Sequence, residues 1–237
     1  MMNEIAQFEF NGKKLYDDYD FIMTSLDVEY PELNRITQTV PYFNGTYDFT
    51  NLYGSSTWSE RIITVRVRHK DTILRRDRLH AVYDMFSWWL LSQQNGPLKF
   101  ENIRGIFTGR VTNISSKDAF MILGYIEIQF TCHPFRQFEN YEGNLYWDPF
   151  CFEEDVLQDT KFSIDGTKEV TIYNLSATDI IPKVICSSDM SVIKNNITYN
   201  FKAGESEDYR FMFNPNENKF KISGKGTIEF LFKRMVI

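Results

Sequence analysis

Apolar residues fall at every second position in several stretches of this chain and at every third or fourth in one other, and these two periods lay out its elements. Phe8 and Phe10 share one face of a short strand that ends at Asn11-Gly12, a strong turn dipeptide. A second short strand reaching Tyr16 completes an opening hairpin. Arg61–His69 alternates more cleanly: Ile63, Val65 and Val67 face inward, while Thr64, Arg66 and Arg68 face out. This is the pattern of a half-solvated antiparallel strand. Between residues 72 and 93 the period changes. Leu79, Val82, Tyr83, Phe86, Trp89 and Leu90 form one stripe of an α-helix. Asp71 or Thr72 is available as its N-cap, and Asn95-Gly96-Pro97 stops it.

Leu98–Phe100, Gly105–Ile114 and Ala119–Cys132 then read as strands, the last with Ile126, Ile128, Phe130 and Cys132 on one face. Residues 114–118 read as the turn between the two longer ones. Residues 136–155 are aromatic and acidic and lose all periodicity, which marks a connection. From Lys161 short alternating strands resume: Lys161–Ile164, Glu169–Asn174, Lys183–Cys186, Met190–Lys194, Asn196–Phe201, Tyr209–Asn214, Lys219–Ser223 and Thr227–Phe232. Turn chemistry separates them, including Asp165-Gly166 and Gly224-Lys225-Gly226. Such spacing predicts a β-sandwich. The expected fold is therefore mainly β. A β-rich α+β domain over 1–135 with one long helix is followed by a connection over 136–155 and an antiparallel sandwich over 156–237.

Composition sharpens this reading. Aromatic residues make up 16% of the chain, with 21 Phe, 13 Tyr and 4 Trp, which favours pleated, half-buried surfaces and protein–protein interfaces. Net charge is −6, so the surface as a whole repels phosphate backbones. The one basic cluster, Arg61, Arg66, Arg68, Lys70, Arg75, Arg76 and Arg78, alternates with apolar residues and reads as a solvated face. Nucleic acid is not an expected partner. Cys132, Cys151 and Cys186 lie far apart with no metal-ligand spacing, and are expected as free thiols, mostly buried. The N-terminus has no export pattern, and the apolar run at Phe86–Leu91 is far short of the ~20 residues that span a bilayer. A soluble protein made in a cytoplasm, without a membrane partner, is expected.

Candidate chemistry is thin. The three histidines, His69, His80 and His133, show no ligand spacing, and no nucleophile, phosphate-loop or dinucleotide motif occurs. Ser223-Gly224-Lys225-Gly226 reads as a hairpin turn rather than a phosphate cradle. Acidic groups at Asp17-Asp18, Glu153-Glu154-Asp155 and Glu205, Glu207, Asp208 read as solvating charge rather than a glycosidase pair. Trp58-Ser59-Glu60-Arg61 has the composition of some sugar-binding sites but lies outside the sandwich. No enzyme activity, cofactor or metal is expected.

Several ordered segments resemble the distal tail protein family of siphophage and prophage tails. They are Phe8-Glu9-Phe10-Asn11-Gly12-Lys13-Lys14, Asp18–Ile22 and Val40-Pro41-Tyr42-Phe43-Asn44-Gly45-Thr46-Tyr47-Asp48, the last similar to a valine-proline-x-x-asparagine-glycine loop. Tyr42-Phe43 stands there where Gly-Arg is more usual. Glu60-Arg61, Trp88-Trp89-Leu90 and Gly124-Tyr125 through Phe130–Phe135 follow in the same order, then Val170–Leu175 and Pro182. The resemblance implies a virion protein of the tail tip or baseplate, made in the bacterial host. It implies a hexameric ring formed by the N-terminal domain and a galectin-like C-terminal sandwich. Its partners would be the tail tube protein, the tail-associated hub protein and the receptor-binding apparatus.

A ring subunit works through its contacts, and anchors of such contacts are buried aromatics. The segment Pro41–Trp58 concentrates them, so Tyr42, Phe43, Asn44, Gly45, Tyr47, Tyr53 and Trp58 are the candidate assembly residues. The competing reading has several of these rings capping the first domain's own core. At the level of function, a carbohydrate-binding module, another tail tube or baseplate part, and a cell-wall hydrolase stay open as alternatives.

Overall fold

The computed structural model describes residues 7–42, 44–50, 52, 56–71, 76–143 and 155–237. The chain divides into two compact units, Met1–Arg136 with Ile237, and Gln137–Val236. Strand accounts for 50% of the protein and helix for 13%, a mainly β fold.

The first unit contains β1 (Phe8–Phe10), β2 (Lys13–Lys14), α1 (Leu15–Tyr19), β3 (Phe21–Val28), β4 (Thr37–Thr39), β5 (Thr46–Asp48), β6 (Arg61–His69), α2 (Arg76–Ser92), β7 (Gly96–Phe100), β8 (Ile106–Ile114), α3 (Lys117–Leu123) and β9 (Ile126–Cys132). Its main sheet runs β2-β1-β7-β8-β9-β6-β3, each neighbour pairing antiparallel. β1 and β2 turn on Asn11 and Gly12, with φ of 52° and 76°, the left-handed pair that a two-residue hairpin requires. The second strand stops at Lys14, short of the expected Tyr16. There the chain becomes a one-turn helix that buries Leu15 and Tyr19.

β6 buries Ile63, Val65 and Val67 as its alternation demands, and α2 lays Phe86, Trp89 and Leu90 on the sheet. Trp89 stacks on Tyr19 at 4.3 Å between ring centroids, and Phe86 stacks on Phe21 at 4.2 Å. The start of this helix, with Thr72 and Arg75, lies outside the described residues. Gly109 on β8 faces Cys132 on β9, where a Cβ would sit 2.3 Å from the sulfur and 2.7 Å from the Thr131 carbonyl oxygen. Only glycine permits that approach.

Two expectations change. Residues 114–118 are not a turn between strands: Ser116 accepts a hydrogen bond from the Ala119 amide and caps α3, which Gly124 ends at φ 74°. Arg61 does not belong to a solvated basic face. It shares the inward parity of Ile63 and is 3% exposed, lying over the Phe107 ring. Arg66, by contrast, pairs with Glu127 in solvent.

After β10 (Arg136–Gln137), the second unit contains β11 (Lys161–Asn174), β12 (Lys183–Cys186), β13 (Met190–Lys194), β14 (Ile197–Phe201), β15 (Gly204–Ser206), β16 (Asn216–Leu231) and β17 (Met235–Val236). The Gly224-Lys225-Gly226 and Asp165-Gly166 segments are not turns. They lie inside one long antiparallel ribbon of β11 and β16, with Gly166 opposite Gly224. β13 and β14 flank the first half of β16, and β12 and β15 flank the second. Phe220 and Phe230 both sit on β16, yet their rings meet at 5.3 Å. Ten residues of straight strand would hold them ~33 Å apart. The ribbon must therefore fold back, and it does so where Gly224 and Gly226 adopt φ of 148° and 137°. The two halves enclose one core, including Ile172, Val184, Phe211, Phe213, Ile222 and Ile228.

Residues 209–214 are not a strand either. Phe211 and Phe213 are buried; Phe213 forms a single antiparallel bridge with Ile180, and the neighbouring carbonyls are held by side chains, Lys194 Nζ donating to that of Met212 and the Tyr199 hydroxyl to that of Arg210. At the end of the unit, Arg234 is enclosed by Glu142, Asp155 and the Phe138 ring.

Candidate assembly surface

Between β3 and β6 the chain leaves the first unit's sheet as a long excursion. Backbone pairing continues outward: the Glu29 amide donates to the Ile62 carbonyl, Ser59 to Glu32, and Asn34 to Thr57. Beyond these, β4 and β5 pair alone, with Thr37 opposite Asp48, Gln38 opposite Tyr47 and Thr39 opposite Thr46. The Phe49 amide donates to the Ile36 carbonyl at 2.7 Å, extending the same register.

That register sorts the hairpin into two faces. Opposed residues in an antiparallel pair project to the same side, and neighbours along a strand to opposite sides. Thr37, Thr39, Thr46 and Asp48 therefore make a polar face. Ile36, Gln38, Val40, Tyr47 and Phe49 make an apolar one, with the Tyr47 and Phe49 rings stacked at 6.2 Å. Both faces are exposed among the described residues. Residues 34–49 are exposed wherever described, with Ile36 55%, Tyr42 109% and Tyr47 46% accessible. An isolated two-stranded hairpin is at best marginally stable in water, and a monomer seldom leaves so many large apolar side chains together in solvent.

The tip is built on strained backbone. Tyr42 adopts φ 65°, a left-handed conformation disfavoured for a bulky side chain, and Gly45 follows at φ 111°. At the shoulder the Asp48 carboxylate accepts from the Thr50 amide at 2.9 Å, and these Thr50 hydrogen bonds hold its carboxyl below the usual range. Thr50 Oγ1 in turn accepts from the Ile36 amide at 3.1 Å, locking the two legs together.

The candidate residues divide accordingly. Tyr42, Asn44, Gly45 and Tyr47 lie on the exposed hairpin, and Phe43 and Tyr53 fall outside the described residues. Trp58 stands apart at the base. It is half-buried, bridges to Leu33 and packs edge-on against Phe135 at 6.5 Å, which ties it to the base of the excursion. Ile36 and Val40, outside the predicted loop, belong to the apolar face. Their signal was available as an uncharged run: Ile36–Tyr47 contains no charged residue in a chain that is 24% charged.

Groups with potential chemistry are committed elsewhere. Glu60 is held by both terminal nitrogens of Arg110, at 2.9 and 3.1 Å, so the tryptophan-containing tetrapeptide presents no free carboxylate. Cys132 is buried, and its thiol is pushed up to about 12, which keeps it protonated and unreactive. Among the described residues no cluster of three His, Cys, Asp or Glu is spaced to hold a metal, and no helix is long and apolar enough to cross a membrane.

No family model and no curated protein matches this sequence. Solved structures do match in shape. The Dit protein of phage SPP1, a paradigm of the hub adsorption apparatus in phages infecting Gram-positive hosts, superposes with a TM-score of 0.63 at 12% identity. The match covers 97% of this chain and 99% of that one. Chains of the phage p2 baseplate in its activated conformation, with strontium and with calcium, align over 98% and 97% of this chain at TM-scores of 0.41 and 0.40 and identities of 8% and 9%. The resemblance to distal tail proteins seen in the short motifs is thus met in three dimensions: this chain has the fold of a phage tail hub protein.

Proposed function

We propose that this chain is a structural subunit of a phage tail tip. Copies assemble head to tail through the first unit into a ring, six of them if the family resemblance holds, which joins the tail tube to the tail hub and the receptor-binding apparatus. Its product is a shape rather than a reaction. One observation carries this reading: the hairpin of β4 and β5 has a sorted apolar face whose described side chains are exposed. Alternating side chains on a paired register specify a buried surface as strictly here as in a core. The shared fold with the SPP1 Dit protein supports the same role.

The test is Tyr42→Ala combined with Tyr47→Ala. The Tyr42 ring is fully exposed and that of Tyr47 about half so, and neither lies in the core, so far-UV circular dichroism should not change, while assembly should fail in light scattering coupled to size exclusion. Loss of folded signal would instead place these rings in the core.

A further inference from the structure

A head-to-tail ring needs two different patches on every subunit, one to give and one to receive. The hairpin is one of them. Among the described residues of the first unit, the exposed large hydrophobics fall into only two groups. The first is the excursion, from Tyr30 to Leu52. The second is Met85, Trp88 and Leu91 on α2, with Ile122 and Leu123 on α3. The helices adjoin, since Tyr83 stacks on Phe120 at 5.9 Å and Lys117 pairs with Asp84.

Resting on the ring reading, we infer that this outer face of α2 and α3 is the receptor for the hairpin of a second copy of the chain. Three observations favour that occupant. The first is position: β6 begins at Arg61, where the hairpin rejoins the sheet, whereas Met85, Trp88 and Leu91 lie on the side of α2 opposite the sheet-packing Phe86, Trp89 and Leu90. The two patches are therefore distinct surfaces on separate elements, as a head-to-tail contact requires. The second is chemistry. Met85–Asn95 contains no charged residue, like Ile36–Tyr47, so the α2 part of the receptor brings no charge to the hairpin, and Asp118 on α3 stands at its rim. The third is size. With full aromatic areas of about 150–250 Å², each patch offers on the order of 600 Å² of apolar surface, against roughly 800 Å² per partner in a stable interface. The polar face and rims supply the remainder.

Two variants and their mixture test this. Trp88→Ser with Leu91→Ser removes the receptor, and Tyr47→Ser with Phe49→Ser removes the stacked rings of the hairpin's apolar face. Each variant alone should be a monomer by light scattering at a concentration where the wild type assembles. Mixed in equal amounts they should form a one-to-one dimer that does not grow, because one intact hairpin meets one intact helical face. If the helix-face variant assembles like the wild type, this inference is overturned while the ring stands. A mixture that remains monomeric overturns it as well, since the two patches then do not complement each other. A monomeric wild type would sink the ring itself, and this inference with it. Should the first helix variant lose its folded circular dichroism signal, Met85→Ser with Leu91→Ser serves with the same expectations.

Discussion

Two adjacent tryptophans on α2 should respond in opposite ways to the same truncation. Trp89 is 1% exposed and walled by the rings of Phe8, Phe10, Tyr19 and Phe86, whereas Trp88 is 71% exposed. Truncating a core tryptophan costs about 3–5 kcal/mol in lost transfer energy and cavity. The Trp89 indole nitrogen, however, is buried with no acceptor, a standing cost that truncation removes. The expected loss for Trp89→Ala is therefore near the lower end, about 3 kcal/mol, which lowers the melting temperature of a unit this size by roughly 10 °C. Trp89→Phe keeps a ring and discards the unsatisfied N–H, so it should cost less. Trp88→Ala should stay within about 0.5 kcal/mol, as for other surface changes. Two units in one chain make a single unfolding free energy ill-defined, so the quantity to compare is the midpoint of the first unit's own transition. Tryptophan fluorescence in urea favours that unit, which holds three of the four tryptophans, Trp58, Trp88 and Trp89. Equal midpoint shifts for Trp88→Ala and Trp89→Ala, or none for Trp89→Ala, would refute the helix orientation on which the assembly argument depends.

Gly109→Ala should destabilise the first unit by about 2 kcal/mol, read at the same midpoint and in the usual range for overpacking, because the new methyl meets the Cys132 sulfur and a backbone carbonyl. Arg61→Met should stabilise it by about 1 kcal/mol or more, read in thermal melts. Arg61 Nε and Nη2 are buried without acceptors, and nearby Arg136 adds repulsion, while methionine fills similar space without charge. A fall on Arg61→Met would mean that an acceptor holds the guanidinium. In the second unit, burial pushes the Glu142 carboxyl above its ordinary range, against the opposing pull of Arg234. The native state then keeps the proton to higher pH than the unfolded chain, so this group's contribution is full below about 4.5 and is lost as pH rises through the folded value. Glu142→Gln removes that dependence. The melting temperature of the variant relative to wild type should rise between pH 4.5 and 7, and a flat difference would contradict the assignment.

Where alternation was long and unbroken, the chain could be read directly. β6 shows its inward residues from Ile63 to Val67, α2 shows its sheet-facing stripe, and Asn11-Gly12 marks a hairpin that local sterics alone enforce. Errors arose where glycine or apolar runs admit two physical meanings. Gly224 and Gly226 bend a continuous ribbon instead of ending strands, a choice made by the paired register across β11 and by the core that Phe220 and Phe230 share. Ala119–Leu123 reads as strand by composition, yet the Ser116 cap and Gly124 stop make it a helix. Phe211 and Phe213 alternate like a strand, but their pairing stops at one bridge, Phe213 with Ile180, and the buried Lys194 takes the Met212 carbonyl between them. The proposed assembly surface was half legible. Its aromatics point to residues 41–58, of which Trp58 packs half-buried at the base, while Ile36 and Val40 on the exposed apolar face lie outside that window. Trp88 went unread for a different reason: a helical stripe identifies the face that packs, and says nothing of a second apolar face on the other side.

The mass of the purified wild-type protein in solution tests the central claim most directly, by light scattering during size exclusion at micromolar concentration. Head-to-tail closure predicts a single discrete species at a whole multiple of the 28.1 kDa subunit, six by the family resemblance, that neither grows into fibres nor trails to smaller sizes. A species holding at 28.1 kDa across that range would contradict it, leaving an apolar hairpin in solvent with no copy of the chain to cover it.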